Sequence, residues 1–207
     1  SSPDEPPATL ERRVLRAVAL PAVSPGGRVA LAAGREVWIV DDGTGLPEAL
    51  SDQFATRGLS VRVVSGDVAT ESNGIVGLAR IGGLVLLALP DSGADPIWSE
   101  ASERRLKNAF ALTKRVGPML KEAAAGGGAL FVTVSRMDGA FGLTGGAFDA
   151  VQGGLAGLTK TVAMEWPALR CKALDVPASW SDSNQVAAAI VSELTVDGPI
   201  EVGLDGR

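Results

Sequence analysis

Two short stretches of the chain carry residue types and spacings from which chemistry could be built. The first is Asp41, Asp42, Gly43, Thr44 and Gly45, which follows the apolar run Val37 to Val40 and precedes a segment with helical spacing. A glycine-bearing turn between a strand and a helix amino terminus can present backbone N–H groups to a phosphate, and the helix dipole adds to the attraction. The second stretch places Ser135 at the end of an apolar run, then Phe148 and, one helical turn on, Gln152. That supplies a strand-end hydroxyl, an aromatic ring and a neutral amide.

What the chain lacks narrows the chemistry further. With no His, no Tyr and one Cys in 207 residues, it has no His-based triad, no Cys/His zinc site and no internal disulfide. Cys171 lies in the apolar run Arg170 to Val176, so a buried core thiol is expected there rather than a nucleophile. A formal net charge of -5 argues against a surface that neutralises nucleic-acid phosphates. The longest apolar stretch, around Gly82 to Pro90, is far short of the ~20 residues of a spanning helix. A soluble, cytoplasmic protein with neither a nucleic-acid nor a membrane partner is expected. For Asp41 and Asp42 two readings stand: solvated aspartates in a polar turn, or a Mg²⁺ or unusual nucleotide site.

The elements that must position these residues follow from hydrophobic periodicity. Apolar runs at Val14 to Leu20, Val29 to Ala32, Val37 to Val40, Val61 to Val64, Leu84 to Leu89, Leu130 to Val134 and Cys171 to Val176 read as strands, with a short last strand at Glu201 to Leu204. Several lack polar alternation, as expected of parallel strands covered on both faces. Between them lie helical patterns. Pro47 and Gly58 bracket one helix with Leu50 and Phe54 inward, and Ser99 caps a second whose inner face carries Leu106, Phe110 and Thr113. Pro118 should kink or end that second helix. A third runs from Asp149 to Glu165 on the stripe Val151, Leu155, Leu158 and Val162, and a fourth from Ser183 to Leu194. Gly153 and Gly154 imply close approach of another backbone. The sum is an α/β fold, a doubly wound, mostly parallel Rossmann-like sheet with helices on both faces. It spans residues 10–207, with 1–9 as linker.

Phe131 to Pro167, FVTVSRMDGAFGLTGGAFDAVQGGLAGLTKTVAMEWP, resembles the Ser…Tyr-x-x-x-Lys region of short-chain dehydrogenases. Val37 to Leu50 resembles their glycine-rich loop, VTGGTGGLG in typical ketoreductases. Gly43, Thr44 and Gly45 stay in register, but Asp41 and Asp42 replace Thr and Gly, one residue is deleted after Gly45, and Pro47 takes the place of the last glycine. At about 6 Å and an effective dielectric of about 20, each carboxylate facing a phosphate costs on the order of 3 kcal/mol. In that family a Tyr donates the proton to the carbonyl, a Lys lowers its pKa and holds the ribose, and a Ser orients the carbonyl. Carried over, Ser135 matches the Ser, Phe148 the Tyr and Gln152 the Lys, so the proton donor is gone. Asp67-Val68 resembles the family's adenine-side acidic pair, or is simply a turn.

Leu10 to Gly27 and the closing GPIEVGLDGR resemble the two ends of the first half of ketoreductase regions in type I polyketide and polyunsaturated fatty acid synthases. The resemblance implies a noncatalytic structural subdomain, with no cofactor, catalytic residue or metal of its own. It would support an NADPH-binding catalytic subdomain in the same polypeptide that reduces β-ketoacyl groups. An acyl carrier protein and a second copy of the chain are further expected partners. The alternatives are a divergent NADP(H)-dependent short-chain reductase using Ser135, and a free-standing degenerate dehydrogenase acting as a binding module.

Overall fold

Successive residues of an extended chain point to opposite faces, so an uninterrupted apolar run needs cover on both sides. The computed structural model, which describes residues 14–21, 27–66, 78–89, 100–146 and 148–206, uses its runs in this way. Strands β1 (Glu36–Val40), β2 (Ser60–Val64), β3 (Ile81–Leu87), β4 (Leu130–Ser135), β5 (Arg170–Asp175) and β6 (Glu201–Gly203) form one sheet in the order β2-β1-β3-β4-β5-β6. Every pairing is parallel. Helices α1 (Leu46–Ala55) and α4 (Ser183–Glu193) cover one face, and α2 (Glu100–Ala125) and α3 (Gly153–Glu165) the other.

The pleat divides the strands between two cores. Val37, Ile39, Val132 and Val134 pack with Leu50, Phe54, Ile190 and Val191 on the α1/α4 side. Trp38, Leu84, Leu86 and Phe131 pack with Leu112, Val116, Leu120 and Val162 on the α2/α3 side. Burying a side chain of this size contributes about 1.5–3 kcal/mol, so both helix layers are held by their inner stripes. Asp182 caps α4 by accepting from the N–H groups of Asn184 and Gln185. Pro47 lies in the first turn of α1, and Gly58 closes its far end at φ +75°.

Three expectations are corrected, and a fourth, for Pro118, is narrowed. Val14 to Leu20 forms no strand, and its apolar side chains are exposed. Val29 to Ala32 is not a strand either. It crosses from the α1/α4 core, where Val29 packs, to the α2/α3 core, where Ala32 packs, and is tied by the Ala32 N–H to the Gly128 carbonyl. Of the two outcomes expected at Pro118, a kink or an end, the end does not occur: α2 continues to Ala125, and Leu120 and Ala123 still pack in the core beyond it. Phe110 is not on the inner face: the buried stripe is Ala109, Leu112, Thr113, Val116 and Leu120, and Phe110 points to solvent. The linker 1–9, Ser99 and Asp67-Val68 lie outside the described residues. Among the described residues no helix is long and apolar enough to cross a membrane.

Candidate functional site

Both candidate stretches come to the carboxyl ends of the strands. The turn Asp41–Gly45 leaves β1, and the Asp41 N–H still pairs with the Val64 carbonyl of β2. Beyond that the chain folds onto its own carboxylates. Asp41 Oδ1 accepts from the Gly43 N–H at 2.8 Å. Asp42, which is buried, accepts on Oδ1 from both the Thr44 N–H at 2.9 Å and the Thr44 hydroxyl at 2.6 Å. The Leu46 N–H donates to Thr44 Oγ1, and Pro47 has no N–H to offer. Aspartate side chains readily close such turns by bonding to the backbone two residues on. Gly43 holds φ +76°, a conformation that suits glycine. The N–H donors of Gly43, Thr44 and Leu46 are thus already matched inside the turn.

At the end of β4 the Ser135 hydroxyl is buried and donates to Asp175 Oδ1 at 2.8 Å. Asp175 is the register partner of Ser135 on β5 and is itself fully buried. Its Oδ1 also accepts from the Met137 N–H, and its Oδ2 from the N–H groups of Asp138 and Phe141. Asp138 continues the same pattern, accepting from the N–H groups of Ala140, Gly142 and Thr144 and from the Thr144 hydroxyl. Burial pushes the Asp138 pKa up, but these donors outweigh it and hold the carboxyl well below the usual carboxylate range. Two aspartates therefore fix the loop 136–145 by its backbone.

Gln152 is buried and spans two strand ends. Its Oε1 accepts from the Arg136 N–H at 2.7 Å, and its Nε2 donates to the Leu89 carbonyl at 3.2 Å. Asp149 caps the turn Ala150–Gln152 ahead of α3 through the Val151 N–H. An apolar pocket opens beside Gln152, lined by Leu87, Leu89, Leu106, Ala109, Val151 and Leu155. The half-buried Phe148 ring lies over Gly146 and Gly142, where any Cβ on Gly146 would meet it. Gly153 has open space around it, whereas Gly154 is approached by the Leu106 side chain of α2 and not by a backbone.

Sequence reasoning missed three residues here: Arg136, Asp138 and Asp175. Burial lowers the Arg136 pKa, against the attraction of Asp42 and Asp175, which favours its charged form. Arg136 donates to the Trp180 carbonyl and so sets a cation between the two candidate stretches. The available signal was Asp138 followed by Gly139 and Gly142, both at positive φ. Cys171 is buried, and burial pushes its thiol up to about 12, so it is inert at neutral pH. No cluster of His, Cys, Asp and Glu suited to a metal ion occurs among the described residues.

No family model and no curated protein matches the chain. Solved structures do. A carbonyl reductase from Pseudomonas aeruginosa PAO1 is similar at 18% identity and a TM-score of 0.53, over 77% of this chain and 90% of that one. An acetoin dehydrogenase from Enterobacter cloacae is similar at 13% identity and a TM-score of 0.56, over 83% and 95%. A short chain dehydrogenase from Burkholderia cenocepacia J2315, in complex with NADP, is similar at 14% identity and a TM-score of 0.54, over 82% and 87%. At such identities the likeness is one of architecture: the chain has a short-chain dehydrogenase/reductase-like, Rossmann-type α/β fold.

Proposed function

We propose that this chain is the noncatalytic structural subdomain of a ketoreductase region in a polyketide or fatty acid synthase. It supports a separate NADPH-binding catalytic subdomain of the same polypeptide, which reduces β-ketoacyl groups on an acyl carrier protein. The observation that carries this reading is the turn at Asp42. A dinucleotide pyrophosphate needs free N–H donors in the turn that leads into α1, and here Asp41 accepts from Gly43 and Asp42 from Thr44, bringing negative charge with them. The second site supports the same reading. The position that resembles the proton donor is Phe148, and Gln152 is occupied in joining Arg136 to Leu89. With the groups for hydride chemistry absent or engaged, what the chain retains is a packed fold.

Calorimetric titration of the chain with NADPH tests this proposal. No heat of binding is expected at micromolar cofactor, and a micromolar dissociation constant would overturn it. A second reading, a divergent NADP(H)-dependent reductase, is favoured by the likeness to a dehydrogenase solved with NADP. It requires turnover of a simple ketone such as trans-1-decalone, abolished by Ser135→Ala.

A further inference from the structure

α2 turns one side to the sheet and the other to solvent, and its outward side has a pattern of its own. Lys107, Ala111, Lys114, Pro118, Lys121 and Ala125 are all exposed and follow one another at alternating steps of four and three. Such steps keep residues on one stripe of a helix, and this stripe lies opposite the buried one of Ala109, Leu112, Val116 and Leu120. It alternates lysine with a small or compact residue. The lysines recur every seventh residue, about 10 Å apart along the axis. Phe110, one turn from both Lys107 and Lys114, is 60% exposed beside them.

Charge sets this stripe apart. From Arg104 to Lys121 the helix holds six cationic residues and no acidic one, in a chain whose formal net charge is -5. A helix face that meets only solvent commonly mixes the two signs. The nearest acidic residues of α2 stand at the two ends of that segment, where Glu103 pairs with Lys107 and Glu122 with Arg35. Lys121 lies over the Trp166 ring. Lys114, at the centre of the row, makes no ion pair among the described residues.

We infer that the outer stripe of α2 is a docking site for an acidic helix of a partner protein, laid along α2 with a carboxylate facing each lysine. A seven-residue repeat is the pattern of one helix packed lengthwise on another, and Ala111, Pro118 and Ala125 leave room for the partner's backbone between the lysine stems. One exposed ion pair contributes little, so the row acts as a set. A second copy of the chain would set lysine against lysine, and an anionic bilayer calls for no seven-residue repeat. This inference goes beyond the proposed function and is independent of whether the chain binds a nucleotide.

The test is fluorescence anisotropy of a labelled synthetic helical peptide of four heptads, with Glu at one position of each heptad in a background of Ala and Gln, titrated with the full chain at about 0.1 M salt. Saturable binding is expected. It should weaken at least tenfold in the triple variant Lys107→Glu, Lys114→Glu, Lys121→Glu and severalfold in Lys114→Glu alone, with circular dichroism to confirm that both variants are folded. The same peptide with its residues scrambled should bind at least fivefold more weakly. Absence of saturable binding overturns the inference. Equal binding by the triple variant places the peptide elsewhere, and equal binding of the scrambled peptide reduces the stripe to bare charge attraction, so either result overturns it too. So does a parent chain that sediments as a dimer broken by the triple variant, or one that binds vesicles of anionic phospholipid and not the peptide.

Discussion

Ser135 and Asp175 are register partners on neighbouring strands, and the Ser135 hydroxyl donates to the Asp175 carboxylate at 2.8 Å in a place that solvent does not reach. The hydroxyl is one of four donors on that carboxylate, the others being backbone N–H groups of the loop that follows β4. The two side chains are therefore unequal. Ser135→Ala should cost about 1 kcal/mol, the net worth of one hydrogen bond. Asp175→Asn sets an amide against N–H donors and should cost about 3 kcal/mol or more. Urea unfolding of both variants measures the difference, and equal costs would refute a loop organised by Asp175.

Acid should act on the same loop through Asp138. Unfolding releases its donors and returns its carboxyl to the ordinary value of about 3.9. Because the folded value is the lower one, the proton favours the unfolded chain. This stabilisation is complete above the unfolded value and is lost as pH falls towards the folded one. The unfolding free energy should show no Asp138 contribution to its slope from about pH 7 to about pH 5, and should fall below about pH 4. In Asp138→Asn that acid-side decline should be shallower, as read from urea midpoints across the range.

Under the proposed function, restoring a lysine at Gln152 should not yield a reductase. The Gln152 amide accepts from Arg136 and donates to Leu89 at once, and a lysine ammonium only donates. Gln152→Lys should therefore destabilise the fold by about 2 kcal/mol, much as Gln152→Leu would. The double variant Phe148→Tyr, Gln152→Lys should show no NADPH oxidation with trans-1-decalone, because the turn at Asp42 is untouched. Turnover by that variant would contradict the account of the turn given above.

Adjacent residues in α2 should respond in opposite directions to alanine. Pro118 is exposed in mid-helix, where proline costs about 3 kcal/mol relative to alanine, so Pro118→Ala should raise stability by about 1–3 kcal/mol. Gly117 is packed under the Trp166 ring, which a Cβ would meet at 2.5 Å. Gly117→Ala should lower stability by about 1–3 kcal/mol despite the better helix propensity. Thermal unfolding of the two variants decides both signs.

The sheet could be read from the sequence because its strands are continuous apolar runs, and both cores follow from their pleat. Val14 to Leu20 and Val29 to Ala32 have the same composition without being strands, since composition records the need for cover and not where it is found. Phe110 failed for a related reason: helical spacing leaves neighbouring positions open to a stripe, and here Ala109 and Leu112 join the expected Leu106 and Thr113 on the sheet side while Phe110 is exposed. The turn at Asp41 and Asp42 was legible as a polar turn between a strand and a helix, but not that the aspartates would accept from its own N–H groups. The contacts among Ser135, Arg136 and Asp175 were hidden because they join residues about forty apart that meet only through the β4–β5 register.

The closed turn after β1 has a thermodynamic corollary. A loop that borrows a nucleotide's phosphates to complete its bonding gains stability with ligand concentration and loosens when the ligand leaves. In this turn Asp41 and Asp42 already accept from Gly43 and Thr44, so under the proposed function its stability should not depend on the concentration of a nucleotide.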